Sequence, residues 1–453
     1  MSIFGFVILT LVTFLPLRRH WQKTNHLDFG EIIYPVVAYL YLGMGVRGLW
    51  LSSGFVETPV AEVDEILQNH PSACLYLFLL TAVGVACLYA GYFSKRSHPL
   101  AVSIARSRPF AGPHSRRMIS CLCALCAIVA VAAAFQLWRG YGWQNESSGV
   151  PGAFVKRTAE GGLYPMTGLF RLAFMGALIS AALAPKHSQF SARFVLLLNI
   201  AATGFSFLLT SSKESLFVLF FGLLIVRNYV KKPITGRAVL ISLVLAILSY
   251  PVLVAYRYSG TDMFEDGQPL GAVGAGMLLE RSHQFDSALL ILDRVKSFGH
   301  LAYGSSLNDI VYFYIPRAIW PNKPMAFGYR FGEEFEPSIF HMGETGSETP
   351  SLIGELFLNF HIVGVMCGMY LFGRFLKGIY VFLRTGGLSP LKTGAYALFV
   401  LNAVHVVEGP IAGHMSTFIV DILPIVCIGI AASSVSADRS RQRNQNIVSP
   451  ATV

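Results

Sequence analysis

The sequence predicts an all-α polytopic membrane protein, with about eleven transmembrane helices and one long extracytoplasmic loop containing an amphipathic helix. Three observations carry that reading. Hydrophobic residues make up 54% of the 453 positions and charged residues only 13%, against roughly 25% charged in a soluble domain. Apolar runs long enough to cross a bilayer recur along the chain. Lys and Arg concentrate in alternate connections between those runs. Length alone would suggest about three soluble domains, but that expectation assumes water-facing surfaces, and a single membrane bundle fits better.

A membrane span needs about 20 apolar residues. Such windows fall at roughly 2–17, 31–52, 72–93, 118–138, 164–184, 194–210, 215–230, 238–256, 352–373, 393–410 and 415–436. The first is followed by Arg18, Arg19 and Lys23 and has no small-residue cleavage site, so it reads as a retained helix rather than a signal peptide. The chain then divides into eight helices over 1–256, a loop over 257–351, three helices over 352–436, and a polar tail over 437–453 read as disordered.

One set of alternate connections holds 22 Lys and Arg in short segments, six of them between Lys95 and Arg117. The opposite set, apart from the long loop, holds only Arg139, Lys156, Arg157 and Lys213, and its 52–71 segment is acidic. The positive-inside rule makes the basic side cytoplasmic, which puts the N-terminus and the long loop outside and the C-terminus inside. The net charge of +10 is thereby spent on orientation. No contiguous basic stripe with its own fold appears, so nucleic acid is not an expected partner.

All seven cysteines lie in or at the ends of apolar spans, so disulfides carry no load in the loops. Cys121, Cys123 and Cys126 sit inside an apolar helix without a fourth polar ligand, which favours small-residue packing over a metal site. Within the long loop, the leucine spacing from Leu278 to Leu292 predicts an amphipathic helix lying at the interface. That helix would hold Arg281, His283, Asp286 and Arg294 near headgroup level. Pro316, Pro321 and Pro324 exclude regular helix over 315–324 and leave a rigid turn presenting Arg317 and Lys323.

Polar chemistry gathers between Val311 and Gly364. Ile315, Pro316, Arg317, Trp320, Pro321, Lys323 and Pro324, followed by Gly354, Glu355, Asn359, Phe360 and Gly364, resemble the Wzy-type O-antigen and oligosaccharide repeat-unit polymerases. The likeness covers one loop and one helix in detail and the remainder only in layout. The chain departs from the family pattern at Phe357 and His361, where an aromatic hydroxyl and a glycine are expected.

The resemblance implies glycosyl transfer on the periplasmic face of the bacterial inner membrane. The substrate would be an undecaprenyl-pyrophosphate-linked oligosaccharide, with no metal or other cofactor. A chain-length regulator and a flippase of the same pathway are the implied protein partners, beside membrane lipid. Such a site needs cations for the departing pyrophosphate, and Arg257, Arg281, Arg317 and Lys323 are the candidates, because Arg forks match phosphate oxygens bidentately. Their alternative role is anchoring at the interface. Trp320 and Asn359 are further substrate-binding candidates.

A general base is also required. Glu355, an ionisable group just inside its span, is one candidate, with structural pairing to an arginine as its alternative; His341 is the other candidate base. His405, Glu408 and His414 cluster near the outer ends of the last two spans, where they would line the same cavity, hold a metal, or simply end their helices. Arg47 and Arg171, inside their own spans, are expected to pair within the bundle or contact lipid phosphate. An O-antigen ligase shares the donor and differs in acceptor. A flippase or other transporter would explain the spans, but the internal repeats and paired broken helices of that class are not seen.

Overall fold

The computed structural model describes residues 2–24, 28–54, 60–111, 114–141, 164–184, 190–210, 213–258, 282–298, 301–312, 314–315, 319–337 and 350–448. Among these the protein is helical throughout, and no strand forms. It is a multi-pass membrane protein. Among the described residues seven helices are long and apolar enough to cross a bilayer, and shorter apolar stretches cover Gly168–Leu183, Ala192–Leu208 and Leu216–Val230. The outward face is also apolar. Leu240, Ile241, Leu243 and Leu245 stand exposed on one helix, a continuous patch that lipid can cover and water would penalise.

In chain order the helices are α1 (Ser2–Thr24), α2 (Ile33–Leu40), α3 (Arg47–Ser52), α4 (Ala61–Asn69), α5 (Ser72–Tyr92), α6 (Pro99–Arg106), α7 (Arg108–Ala111) and α8 (Arg116–Tyr141). They continue as α9 (Tyr164–Leu183), α10 (Phe190–Thr210), α11 (Lys213–Val230) and α12 (Gly236–Tyr258). The last six are α13 (Gln284–Phe298), α14 (Asp309–Tyr312), α15 (Phe327–Phe335), α16 (Leu352–Arg384), α17 (Pro390–Glu408) and α18 (Ile411–Val448). Each of the eleven apolar windows falls on helix. The window at 31–52 is interrupted by a π-helical turn, Tyr41–Val46, where the wider turn sets Gly43 against the side chain of Gln284.

The connections rich in Lys and Arg gather at one end of the bundle. There Asp28 accepts hydrogen bonds from Asn228 Nδ2 (2.7 Å) and Tyr229 Oη (2.9 Å). Tyr396 Oη donates to Gly30 O (2.8 Å), and Arg374 donates to the carbonyls of Arg96 and Ser97. The centre is held by α5 against α16, which cross with backbones in contact. A Cβ on Gly91 would lie 2.1 Å from Tyr370 O, and one on Gly373 2.1 Å from Leu88 O, so only glycine allows this approach.

Two ion pairs lock other helices. Arg47 Nε and Nη2 donate to Asp286 Oδ1 and Oδ2 (3.2 and 2.8 Å) with both side chains fully buried. Arg171 forks onto Asp421 (2.6 and 2.5 Å), which also accepts from Asn402 Nδ2 (3.0 Å). Both arginines expected to pair within the bundle therefore do so.

Two expectations need correction. The helix of the long loop, α13, does not lie at the interface as an amphipathic element. Phe285, Asp286, Ser287 and every residue from Ala288 to Leu292 are buried, so no face is left for solvent. Phe285 packs on Phe78 and Gly48, and Ala288 and Ile291 meet Gly354. The ion pair to Arg47 is what lets the polar side of α13 enter. Only its C-terminal part reaches the surface, where Arg294 pairs with Glu334 (2.9 Å) and lies over Phe335. The positions Leu278, Leu279 and Arg281 lie outside the described residues. The second correction concerns the tail: α18 continues through 437–448 as helix.

Candidate functional site at the turn in α16

The sequence of α16 reads as one long span, yet its backbone leaves the helical region at Phe360 (φ −142°, ψ 23°) and His361 (φ 55°, ψ −151°). The chain folds back there. A Cβ on Gly364 would lie 2.3 Å from Leu356 O, and one on Gly368 would lie 2.4 Å from the Leu356 side chain. In a straight helix, by comparison, positions eight apart are separated by about 12 Å. Residues 352–359 thus form a short half-helix packed against the start of the long one. Ser351 caps it, its Oγ accepting from Gly354 N (3.0 Å). The turn itself stands exposed at Phe360 and His361, while every residue of the half-helix from Leu352 to Asn359 is buried.

Glu355 sits in the middle of this half-helix with no exposed surface. Ser306 Oγ donates to its Oε1 (2.6 Å), and the backbone N–H of Ile411 donates to its Oε2 (2.7 Å). Ile411 opens α18, so the carboxylate meets one of the N–H groups that a helix start leaves without an internal partner, at the positive end of the helix dipole. Asn359 completes the cluster. Its Nδ2 donates to Ser306 Oγ and to Glu355 O (both 2.8 Å), and its Oδ1 accepts from Gly304 N (2.8 Å). Ala302 N adds a bond to Leu358 O (2.9 Å). The turn 302–306 is thereby fastened along the half-helix, and the start of α18 closes the other side.

The turn between α17 and α18 brings three more expected residues alongside. Gly409 packs against the backbone of Ser351. On α17 His405 Nδ1 lies 3.6 Å from Glu408 Oε2, and across the turn the rings of His405 and His414 stack at 5.7 Å. His414 Nε2 donates to Gly409 O (2.8 Å), which requires the proton on that nitrogen, because a carbonyl can only accept.

Glu355, Asn359, His405 and Glu408 therefore belong to one neighbourhood. Among the described residues the partners of Glu355 are the Ser306 hydroxyl and the Ile411 backbone amide, and the alternative in which it pairs with an arginine falls on Arg257, Arg281 and Arg317, whose side chains lie outside the described residues. Trp320 and Lys323 lie on the adjoining loop. Trp320 stands edge-on to Tyr312 (5.2 Å), and Lys323 Nζ donates to Ile315 O (3.1 Å). That loop is tied to the bundle by Tyr314 Oη, which donates to Ser416 O (3.1 Å), and braced by Asp309, which accepts from Phe327 N and pairs with Arg330. Arg281, Arg317 and His341 lie outside the described residues. Arg257 falls in the last turn of α12, and its side chain is likewise outside them.

Sequence reasoning missed Ser306, and a serine in an outer loop gives no local signal. It also missed the role of Ile411, whose contribution is backbone. No protein-family model matches the chain, and no match is found among curated proteins or solved structures.

Proposed function

We propose that the protein is a glycosyltransferase that joins undecaprenyl-pyrophosphate-linked oligosaccharide repeat units into O-antigen or exopolysaccharide on the periplasmic face of the inner membrane. The observation that supports this reading best is the placement of Glu355 and Asn359. These two polar residues of the Wzy-like helix segment share one buried cluster with the loop turn and the start of α18. In the proposed reaction the anomeric carbon–oxygen bond to pyrophosphate breaks and a glycosidic bond forms to a hydroxyl of a second lipid-linked unit. The hydroxyl proton goes to a base, and undecaprenyl pyrophosphate leaves.

In this reading Ser306 holds the place of the acceptor. Its hydroxyl donates to Glu355 Oε1 over 2.6 Å, the contact an attacking hydroxyl would make with a general base. Glu355 then accepts a proton only when the turn 302–306 yields its place; His341 is the alternative base. Arg317, Arg257, Arg281 and Lys323 would supply cations to the leaving pyrophosphate, with Trp320, His405 and Glu408 along the glycan path.

The deciding experiment is the surface glycan of a deletion strain. Single repeats on the lipid carrier or its acceptor mean polymerase, whereas complete absence of surface glycan means ligase or flippase and overturns the reading. Orientation belongs to the same proposal, with the basic end cytoplasmic and the N-terminus periplasmic. Reporter fusions at Gly267 and at the C-terminus should give opposite signals, and like signals would refute it.

A further inference from the structure

At the basic end of the bundle the chain between α5 and α8 carries a feature that glycosyl transfer does not use. Residues 93–117 contain six Lys and Arg and no Asp or Glu. Within that segment α6 is pressed against α16: Ala101 and His98 approach Gly378, and the carbonyls of Arg96 and Ser97 are held by Arg374. Ala105 is buried on that side, while Leu100 and Ile104, one turn apart on the other side, are 73% and 43% exposed. Lys95, Arg96, Arg106 and Arg108 are exposed around them.

An apolar pair on an eight-residue helix ringed by unopposed cations would be costly against water. Gly378 lies six residues, about 9 Å, from the basic end of α16, so α6 packs near the end of a helix long and apolar enough to cross a bilayer. A surface amphipathic helix at that level sinks its apolar face into the acyl boundary and turns its cations to the phosphates.

We propose that the Leu100–Ile104 face of α6, with Lys95, Arg96, Arg106 and Arg108, is a docking surface for anionic phospholipid. The charge pattern selects this occupant, because zwitterionic headgroups offer no net charge to these four exposed bases, and the 93–117 segment itself supplies no Asp or Glu. His98 contributes no charge to it near neutrality, since burial and the neighbouring Arg374 and Lys377 hold its imidazole below the ordinary range.

The test uses the full chain in nanodiscs of phosphatidylcholine, with and without phosphatidylglycerol. In a Leu100→Trp variant the introduced indole should emit as in an apolar setting and be quenched by lipid brominated on its tails. Wild-type protein extracted from mixed membranes should retain phosphatidylglycerol over phosphatidylcholine, by about fivefold for each cation engaged. Lys95→Gln/Arg96→Gln/Arg106→Gln/Arg108→Gln should lose that preference. If the fourfold variant is not recovered, Arg106→Gln/Arg108→Gln should show a partial loss. Water-like, unquenched emission would overturn the docking of this face, and an unchanged lipid preference in the neutralised variants would overturn recognition by these cations.

Discussion

The backbone N–H of Ile411 donates to Oε2 of Glu355 over 2.7 Å, while the other oxygen of the same carboxylate receives the hydroxyl of Ser306. Both oxygens are therefore filled by donors from parts of the chain remote in sequence. A Glu355→Gln side chain has one acceptor and one donor in place of two acceptors, so with its oxygen kept on the Ile411 amide its nitrogen faces Ser306 Oγ, and the Ser306 hydroxyl proton loses its acceptor. We expect a loss of about 1–3 kcal/mol in stability, and a similar loss for Ser306→Ala, read as thermal unfolding in detergent. The proposed base role adds a separate effect, a drop of about 10²–10⁴ in polymerisation per folded molecule for Glu355→Gln. Near wild-type turnover of the folded fraction would remove Glu355 as the base.

His361 occupies a backbone conformation at φ 55° and ψ −151° that is close to glycine-only territory, and holding it there costs on the order of 1–3 kcal/mol. His361→Gly should raise the melting temperature even though it gives up the ring contact with Phe357, 4.4 Å between centroids. His361→Val should lower it. A fall in melting temperature for the glycine variant would show that the ring contact outweighs the strain.

For Arg47 and Asp286, removing the aspartate takes the paired carboxylate from a buried arginine, and removing the arginine leaves the buried carboxylate to His283, whose Nδ1 lies 4.0 Å away. Asp286→Asn or Arg47→Met should cost about 3–5 kcal/mol, whereas Arg47→Met/Asp286→Leu together should restore most of it. A double-mutant cycle on unfolding measures the coupling, and additive losses would contradict it.

Two histidines outside the spans give the sign of a pH effect. Burial holds His98 below its ordinary range, with Arg374 and Lys377 adding to the shift. Burial does the same for His114, partly offset by its hydrogen bond to the Pro109 carbonyl. A lowered folded pKa means that the unfolded chain binds more protons in the ordinary histidine window. Stability therefore rises as pH rises through that window and is lost on acidification. Melting should be lower at about pH 5.5 than at neutrality, and His98→Gln/His114→Gln should flatten the dependence.

Apolar windows were enough to place helix in each of the eleven stretches, seven of them long and apolar enough to cross a bilayer, because a bilayer imposes length and composition on each helix independently. What they could not show was the reversal at Phe360 and His361. Residues 352–373 have the composition of a straight span, and the turn depends on Gly364 and Gly368 letting Leu356 close against them. The one hint was local: position 361 departs from the glycine of the Wzy-like pattern, and the backbone there has the conformation glycine would favour. The burial of α13 was hidden for a different reason. Its polar residues read as a wet face until Arg47 is placed beside Asp286, and no periodicity links residues 239 apart. Read together, an arginine inside one span and an aspartate in an apolar loop helix were the available sign.

That separation has a meaning for synthesis. At about 5–20 residues per second, the ribosome reaches Asp286 roughly ten to fifty seconds after Arg47 has been made. Throughout that interval the arginine has no Asp286, and a lone cation at membrane depth must reach for the headgroups or draw in water. The α2–α3 segment therefore enters the bilayer in a shallower or wetter setting than the one it finally occupies. It settles only when α13 arrives to neutralise it, so the second half of the nascent chain sets the final place of the first.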